Sequence, residues 1–311
     1  MTRVTLPTGE PLELRSAGVV ARIGTVAAVL RSVTVDGVAI TQPIPDGSRP
    51  SFCTGIVLAP WPNRVRDGLW TLDGRQQQLD LTEAERHNAL HGLLEFADYE
   101  VRDRSETSVT LGAVIPPQHG WPFLLDTWVR YELLPDGIAA THGVTNLSDL
   151  RAPYGTGAHP FLRVGDVPAA ELELTVAAER YLEVDERLNP VELRDVEGTA
   201  FDVRDAKRVA QLELDTAYTG VGFGDVVDGR GISAWVAAPD GARTILRQDV
   251  DWPWVQAFTT DIYATPDGPI SAVAVEPMTA PPNALNSGDD LIWLQPGDEW
   301  QGGWDLRYAP A

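Results

Sequence analysis

Ser32-Val33-Thr34-Val35-Asp36-Gly37-Val38-Ala39-Ile40 sets β-branched and small apolar residues on either side of an Asp-Gly pair. A two-residue type I′ turn needs φ > 0 at both central positions, and Asp followed by Gly meets that need at little steric cost. The stretch predicts a β-hairpin. The pair recurs at Asp73-Gly74, Asp136-Gly137 and Asp240-Gly241, each between strand-like flanks. Alternating runs at Glu171-Leu172-Glu173-Leu174-Thr175-Val176, Gln211-Leu212-Glu213-Leu214 and Arg243-Thr244-Ile245-Leu246-Arg247 would turn aliphatics inward and polar groups outward. No window of helical length sustains a 3.6-residue period, and 24 prolines with 28 glycines punctuate the chain at the spacing of sheets. The predicted fold is all-β, a large antiparallel β-sandwich.

At 311 residues and 43% apolar content the chain can bury a sizeable core. No linker-like stretch or internal repeat interrupts the strand pattern, so residues 1–311 read as one domain. The net charge of −21, with Lys207 the one lysine, argues against nucleic acid as a partner and disfavours an anionic membrane surface. Cys53 stands alone, so no intrachain disulfide can form, and a cytoplasmic setting is expected. Met1 to Glu13 lacks a basic and apolar leader pattern, and Arg22 and Arg31 break the run from Val19 to Val35 well short of bilayer length. Cys53 itself reads as packing.

Within this frame a few polar residues stand in unusual places. Glu276 follows the run Ala272-Val273-Ala274-Val275, which reads as a half-buried strand ended by Pro277. His91 and His159 sit in turn-like settings, Ala89-Leu90-His91-Gly92 and Gly157-Ala158-His159-Pro160, and Asn63-Arg64 follows Pro60-Trp61-Pro62. One carboxylate and two imidazoles on a β frame suggest acid–base chemistry. Taken singly, each has a structural reading: a strand-end acid, satisfied turn histidines, and an Arg64–Asp67 surface pair. Gly220-Val221-Gly222-Phe223-Gly224 looks like a phosphate loop, but Asp225 and Asp228 follow it and no helix begins there. His87 and His91 would need a helix and a third ligand to hold zinc, and no metal is expected. His119 and His142 read as surface or turn histidines.

Taken together, Asn63-Arg64-Val65-Arg66-Asp67-Gly68, His91-Gly92, His159 before Phe161, Asp215 before Tyr218, Val255-Gln256 and Glu276-Pro277-Met278-Thr279 resemble, in that order, the aldose 1-epimerases (galactose mutarotases). The resemblance spans nearly the whole chain. It implies a β-sandwich, in agreement with the hairpin argument, with Glu276 as general base and His159 as general acid. It further implies that His91 and Arg64 bind the sugar near its reacting oxygens, that Asp215 holds hydroxyls and that Gln256 lines the cleft. Asn63 is expected to support Arg64. Where family members often continue from the acid histidine with Tyr-Phe-Asn, this chain reads Pro160-Phe161-Leu162-Arg163, a departure that bears on substrate choice.

The implied reaction, interconversion of α and β anomers, needs one base for the C1 hydroxyl proton and one acid for the ring oxygen, and no redox or group-transfer cofactor. Mutual attraction would raise the pKa of His159 and lower that of Glu276. Trp61 or Trp254 would stack on a sugar's apolar face. The expected partner is a small sugar, and the expected assembly a monomer or homodimer. Two alternatives accompany this reading. One is a hexose-6-phosphate epimerase of the same superfamily, using Arg66, Arg86 and Arg163 against the phosphate. The other is a non-catalytic carbohydrate-binding module.

Overall fold

A computed structural model describes residues 6–311; the first five residues of the stretch Met1 to Glu13 lie outside the described residues. Two large antiparallel sheets dominate. From edge to edge, the first has nine strands: Glu100–Arg104, Ser108–Ile115, Leu125–Leu134, Gly137–Asn146, Glu299–Ala309, Arg243–Asp249, Arg230–Ala237, Glu173–Val176 and Lys207–Arg208. The second has seven: Pro190–Asp195, Ala178–Val184, Asp215–Val221, Trp254–Thr265, Gly268–Met278, Gly157–Ala158 and Val57–Leu58. Strand Gly268–Met278 packs across Arg243–Asp249, so the two sheets face each other. A four-stranded meander over residues 11–39 covers the nine-stranded sheet at Leu125–Leu134 and Gly137–Asn146. One core runs through all three layers, with Leu14 and Val33 of the meander, Val129 and Leu246 of the first sheet, and Val275 and Tyr218 of the second. Each strand supplies too little apolar surface alone, and the stacked layers bury it from both sides.

The expected hairpin turns form where Asp and Gly are themselves the two loop residues. Asp36 (φ 49°) with Gly37 (φ 83°) and Asp73 (φ 47°) with Gly74 (φ 75°) form the expected left-handed pairs. At the third site Leu134 pairs with Gly137, so the turn is Pro135-Asp136 and Gly137 already belongs to a strand. A Cβ on Gly137 would collide with the Leu306 carbonyl, so close approach of a neighbouring strand, not turn geometry, explains this glycine. At the fourth site Ala237 pairs with Arg243 across a longer loop. Gln211–Leu214 is not a strand: a 3₁₀ turn covers Val209–Gln211 and irregular chain follows.

Four further expectations are corrected. Strand Gly268–Met278 continues past Pro277, which pairs with Val255. The same strand is buried on both faces from Ala272 to Met278, because it lies in the middle of its sheet and is covered on either side. Trp61 is also not exposed: it packs against Trp121 with ring centroids 5.7 Å apart, in a core cluster with Trp70 and Phe123. His142 is neither a surface nor a turn residue but a buried one in strand Gly137–Asn146.

Candidate active site

Four neighbouring strands of the seven-stranded sheet place four polar side chains in a row. Gln256 pairs directly with Glu276. The pairing of Gly157 with Met278 carries His159 across from Glu276 on the other side. One strand further on, Ala217 pairs with Gln256, which leaves Asp215 two residues away on the same face, since side chains alternate with period 2. Adjacent strands lie about 4.8 Å apart, so Asp215, Gln256, Glu276 and His159 fall within hydrogen-bond reach of a single small molecule. Register, not sequence proximity, makes this group.

Arg64 and His91 reach the same place from a separate two-stranded ladder in which Arg64 pairs with Leu90. Asn63 and His91 both adopt left-handed backbone, φ 56° and 58°, a strained state for non-glycine residues that the surrounding bonds hold in place. The His91 amide donates to the Asn63 carbonyl (2.9 Å), and the Asn63 amide donates to His91 Nδ1 (3.2 Å). Because Nδ1 accepts, the proton of the neutral imidazole sits on Nε2. The Arg64 amide donates to Asn63 Oδ1 (2.9 Å), so the structure does join Asn63 to Arg64.

The Arg64 side chain does not pair with Asp67. Its Nε donates to Glu83 Oε2 (2.9 Å), its Nη2 donates to Glu83 Oε1 (3.0 Å), and Nη2 also faces Asp215 Oδ2 (3.4 Å). Asp67 instead pairs with Arg187. Gln256 Nε2 donates to Asp215 Oδ1 (2.6 Å), closing a chain from Glu83 through Arg64 and Asp215 to Gln256. Glu83 is the site residue that the sequence reading missed. It lies in the charged stretch Glu83-Ala84-Glu85-Arg86, whose composition suits a solvated turn and carries no signal of a site.

His159 Nε2 lies 3.3 Å from Glu276 Oε1. The His159 ring stacks on Phe161 at 5.4 Å and meets His91 edge-on at 5.4 Å. Glu276, His159, His91, Arg64 and Gln256 are all at most 8% exposed. Burial dominates their protonation: it pushes His159 down to about 4, pushes His91 well below the usual imidazole range, and raises the Glu276 carboxyl well above the carboxylate range, with Asp215 adding to that rise. This reverses the expected direction for the pair, because desolvation outweighs mutual attraction when both charged forms leave water. The pair holds its single proton most readily in the neutral form, carboxylic acid beside imidazole.

Three polar atoms in this cluster are buried without a hydrogen-bond partner: His159 Nδ1, Glu276 Oε2 and Gln256 Oε1. Buried polar groups are nearly always satisfied, so three such atoms on adjacent strands leave hydrogen-bonding capacity that a polar ligand could take up. Asp215, with a quarter of its side chain exposed, is the most accessible member. It lines a trough of about 850 Å³ with Arg86, Leu188, Phe201 and Phe258. Trp254, on the same strand face as Gln256, lines a second cleft of about 500 Å³, and its indole N–H donates to Asp290 (2.7 Å). The arginines considered for phosphate are otherwise engaged: Arg66 with Asp185 and the Pro190 carbonyl, Arg86 with Glu83, and Arg163 near Asp166.

Comparison with known proteins gives a consistent result. The family model for aldose 1-epimerase matches residues 11–307. The uncharacterized protein YihR of Escherichia coli K12 is 32% identical over 293 residues, covering 93% of this chain and 90% of its own. Rat galactose mutarotase is 31% identical over 157 residues, covering 48% of this chain and 45% of its own. The solved structure of an aldose epimerase homologue from C. elegans superposes with a TM-score of 0.83 at 17% identity, covering 96% of this chain and 98% of that one. Among the described residues no helix is long and apolar enough to cross a membrane.

Proposed function

The chain belongs to the aldose 1-epimerase family, and from that premise we propose that it interconverts the α and β anomers of a free, uncharged aldose, acting as one β-sandwich domain in the cytoplasm. The observation that carries the proposal is the His159–Glu276 contact of 3.3 Å, together with the three buried, unpartnered polar atoms around it. Such atoms suit sugar hydroxyls, which donate and accept at once. Paired arginines nearby weigh against a phosphate ester, and an acid–base pair with no other task weighs against a mere binding module.

In this mechanism Glu276 removes the proton from the C1 hydroxyl while His159 gives one to the ring oxygen. The C1–O5 bond breaks to give the open-chain aldehyde. Rotation about C1–C2 exposes the other carbonyl face, and closure returns both protons. The active form is ionised Glu276 with protonated His159, one proton shared by the pair in total. A sugar hydroxyl donating to Glu276 Oε2 favours the carboxylate, and the ring oxygen accepting from the imidazolium favours the charged histidine, so bound substrate shifts the pair from its neutral form. His91, through its Nε2–H, and Arg64 bind oxygens close to C1, while Asp215 and Gln256 hold hydroxyls further round the ring. Trp254, 5% exposed and held by Asp290, has little face left to offer the sugar.

Polarimetry of freshly dissolved α-D-glucose and α-D-galactose tests the proposal. Mutarotation faster than in buffer, proportional to protein concentration, is expected for at least one sugar. A rate equal to buffer for both, with the folded protein present, contradicts it.

A further inference from the structure

We infer that Glu83 is a positioning residue for the reaction proposed above, orienting the Arg64 guanidinium and offsetting its charge beside the His159–Glu276 pair. The inference rests on the mutarotase reading and goes beyond it by assigning a task to a residue outside the catalytic row.

The Glu83 carboxylate grips Arg64 through two donors, Nε and Nη2, at 2.9 and 3.0 Å. This fork geometry fixes the plane of the guanidinium as a single bond would not. Glu83 is itself held: Asn88 Nδ2 donates to Oε2 (3.1 Å) and Arg86 Nη1 to Oε1 (3.2 Å). The Arg64 and Glu83 side chains are 9% and 11% exposed, so this is an ion pair with little access to solvent. Among the described residues Arg64 Nη1 has no protein partner, and the grip on the other two nitrogens determines where Nη1 points.

Charged and titratable groups surround the acid–base pair. His159 is faced by Glu276 from strand Gly268–Met278, by His91 after strand Asn88–Leu90, and by the Arg64 charge from strand Arg64–Arg66. Asp215 acts on Glu276, and Cys53, whose thiol burial keeps neutral, also feels Glu276 and Arg64. Arg64 disfavours the proton on both His159 and Glu276. The negative charge of Glu83 counters that effect at its source. Removing the charge while keeping the shape leaves Arg64 compensated by Asp215 alone, and the pair then gives up its proton at lower pH.

The test is mutarotation by Glu83→Gln and Glu83→Asp against wild type, with pH–rate profiles and thermal melts. Glu83→Gln is expected to lower kcat/KM roughly tenfold to a hundredfold, as for loss of a charge-assisted bond, and to move the alkaline fall in rate to lower pH. Glu83→Asp keeps the charge but shortens the reach, so it should raise KM while leaving the alkaline limb in place. A Glu83→Gln protein with the wild-type limb and wild-type kcat/KM overturns the inference, as does one altered only in its melting temperature. If Glu83→Gln does not fold, Glu83→Asp decides: a raised KM supports the inference and an unchanged KM overturns it. A wild-type protein that accelerates no sugar contradicts the mutarotase reading itself, an outcome distinct from a working wild type matched by Glu83→Gln.

Discussion

Two buried histidines of this protein share their enclosure and differ in what their ring nitrogens meet. His159 and His142 are both almost fully enclosed, and burial depresses both, to about 4 and about 3. His142 lies in the nine-stranded sheet with both nitrogens engaged, Nδ1 with Thr156 Oγ1 (2.9 Å) and Nε2 accepting from the Trp304 indole (3.0 Å). His159 keeps Nδ1 unpartnered and faces a carboxyl whose second oxygen is unpartnered too. Enclosure and a shifted pKa therefore do not mark a site here. What sets His159 apart is unspent hydrogen-bonding capacity next to that of Glu276 and Gln256, since isolated unpartnered groups such as Trp61 Nε1 and Trp121 Nε1 also lie in the core.

Substitutions at the two sites should separate these roles. The largest effect is expected for Glu276→Gln, which removes the proposed base without changing shape and should lower the anomerisation rate by about 10²–10⁴-fold. Its unfolding free energy at neutral pH should be at or above wild type, since a buried carboxyl with a raised pKa costs stability there that Gln does not. His142→Ala should do the reverse. It deletes a satisfied core group and leaves a cavity, a loss of about 2–4 kcal/mol in denaturant unfolding, while the folded protein keeps a kcat close to wild type. A His142→Ala protein that is stable but inactive would erase the distinction between the two histidines.

Smaller effects sharpen it. Asp215→Asn keeps a partner for Gln256 but loses the charge facing Arg64, and should raise KM about tenfold with less change in kcat. Acid titration of stability separates the groups by sign. His142 is neutral in the fold, whereas the unfolded chain protonates its histidines below about pH 6.5. Stability is therefore lost as pH falls from about 6.5 toward about 3, and His142→Ala should flatten part of that slope. His91 and His159 contribute in the same direction. Glu276, whose folded pKa is raised, contributes oppositely: its share is full below the unfolded carboxyl pKa and is lost as pH rises.

Much of the architecture was legible because turn chemistry is local. Asp36-Gly37 and Asp73-Gly74 needed only their own backbone preferences to be read. Gly137 was misread because its reason is the carbonyl of Leu306, far away in sequence, and Gln211–Leu214 because four alternating residues are too few to outweigh a 3₁₀ turn. Trp61 and His142 went astray for a related reason, since the depth of a residue depends on layers that the sequence does not display. The polar row was visible as motifs, but its assembly depends on the register that sets Glu276 between Gln256 and His159. Glu83 was hidden by an ordinary charged neighbourhood. The direction of the His159 and Glu276 shifts also followed from enclosure, which two residues about 120 positions apart do not reveal.

The most direct test of the central claim is proton NMR of anomer exchange, following freshly dissolved α-D-glucose and α-D-galactose with wild type, Glu276→Gln and His142→Ala at equal folded concentration. Acceleration by wild type and by His142→Ala, abolished in Glu276→Gln, is the predicted result. Equal acceleration by wild type and Glu276→Gln would contradict the account.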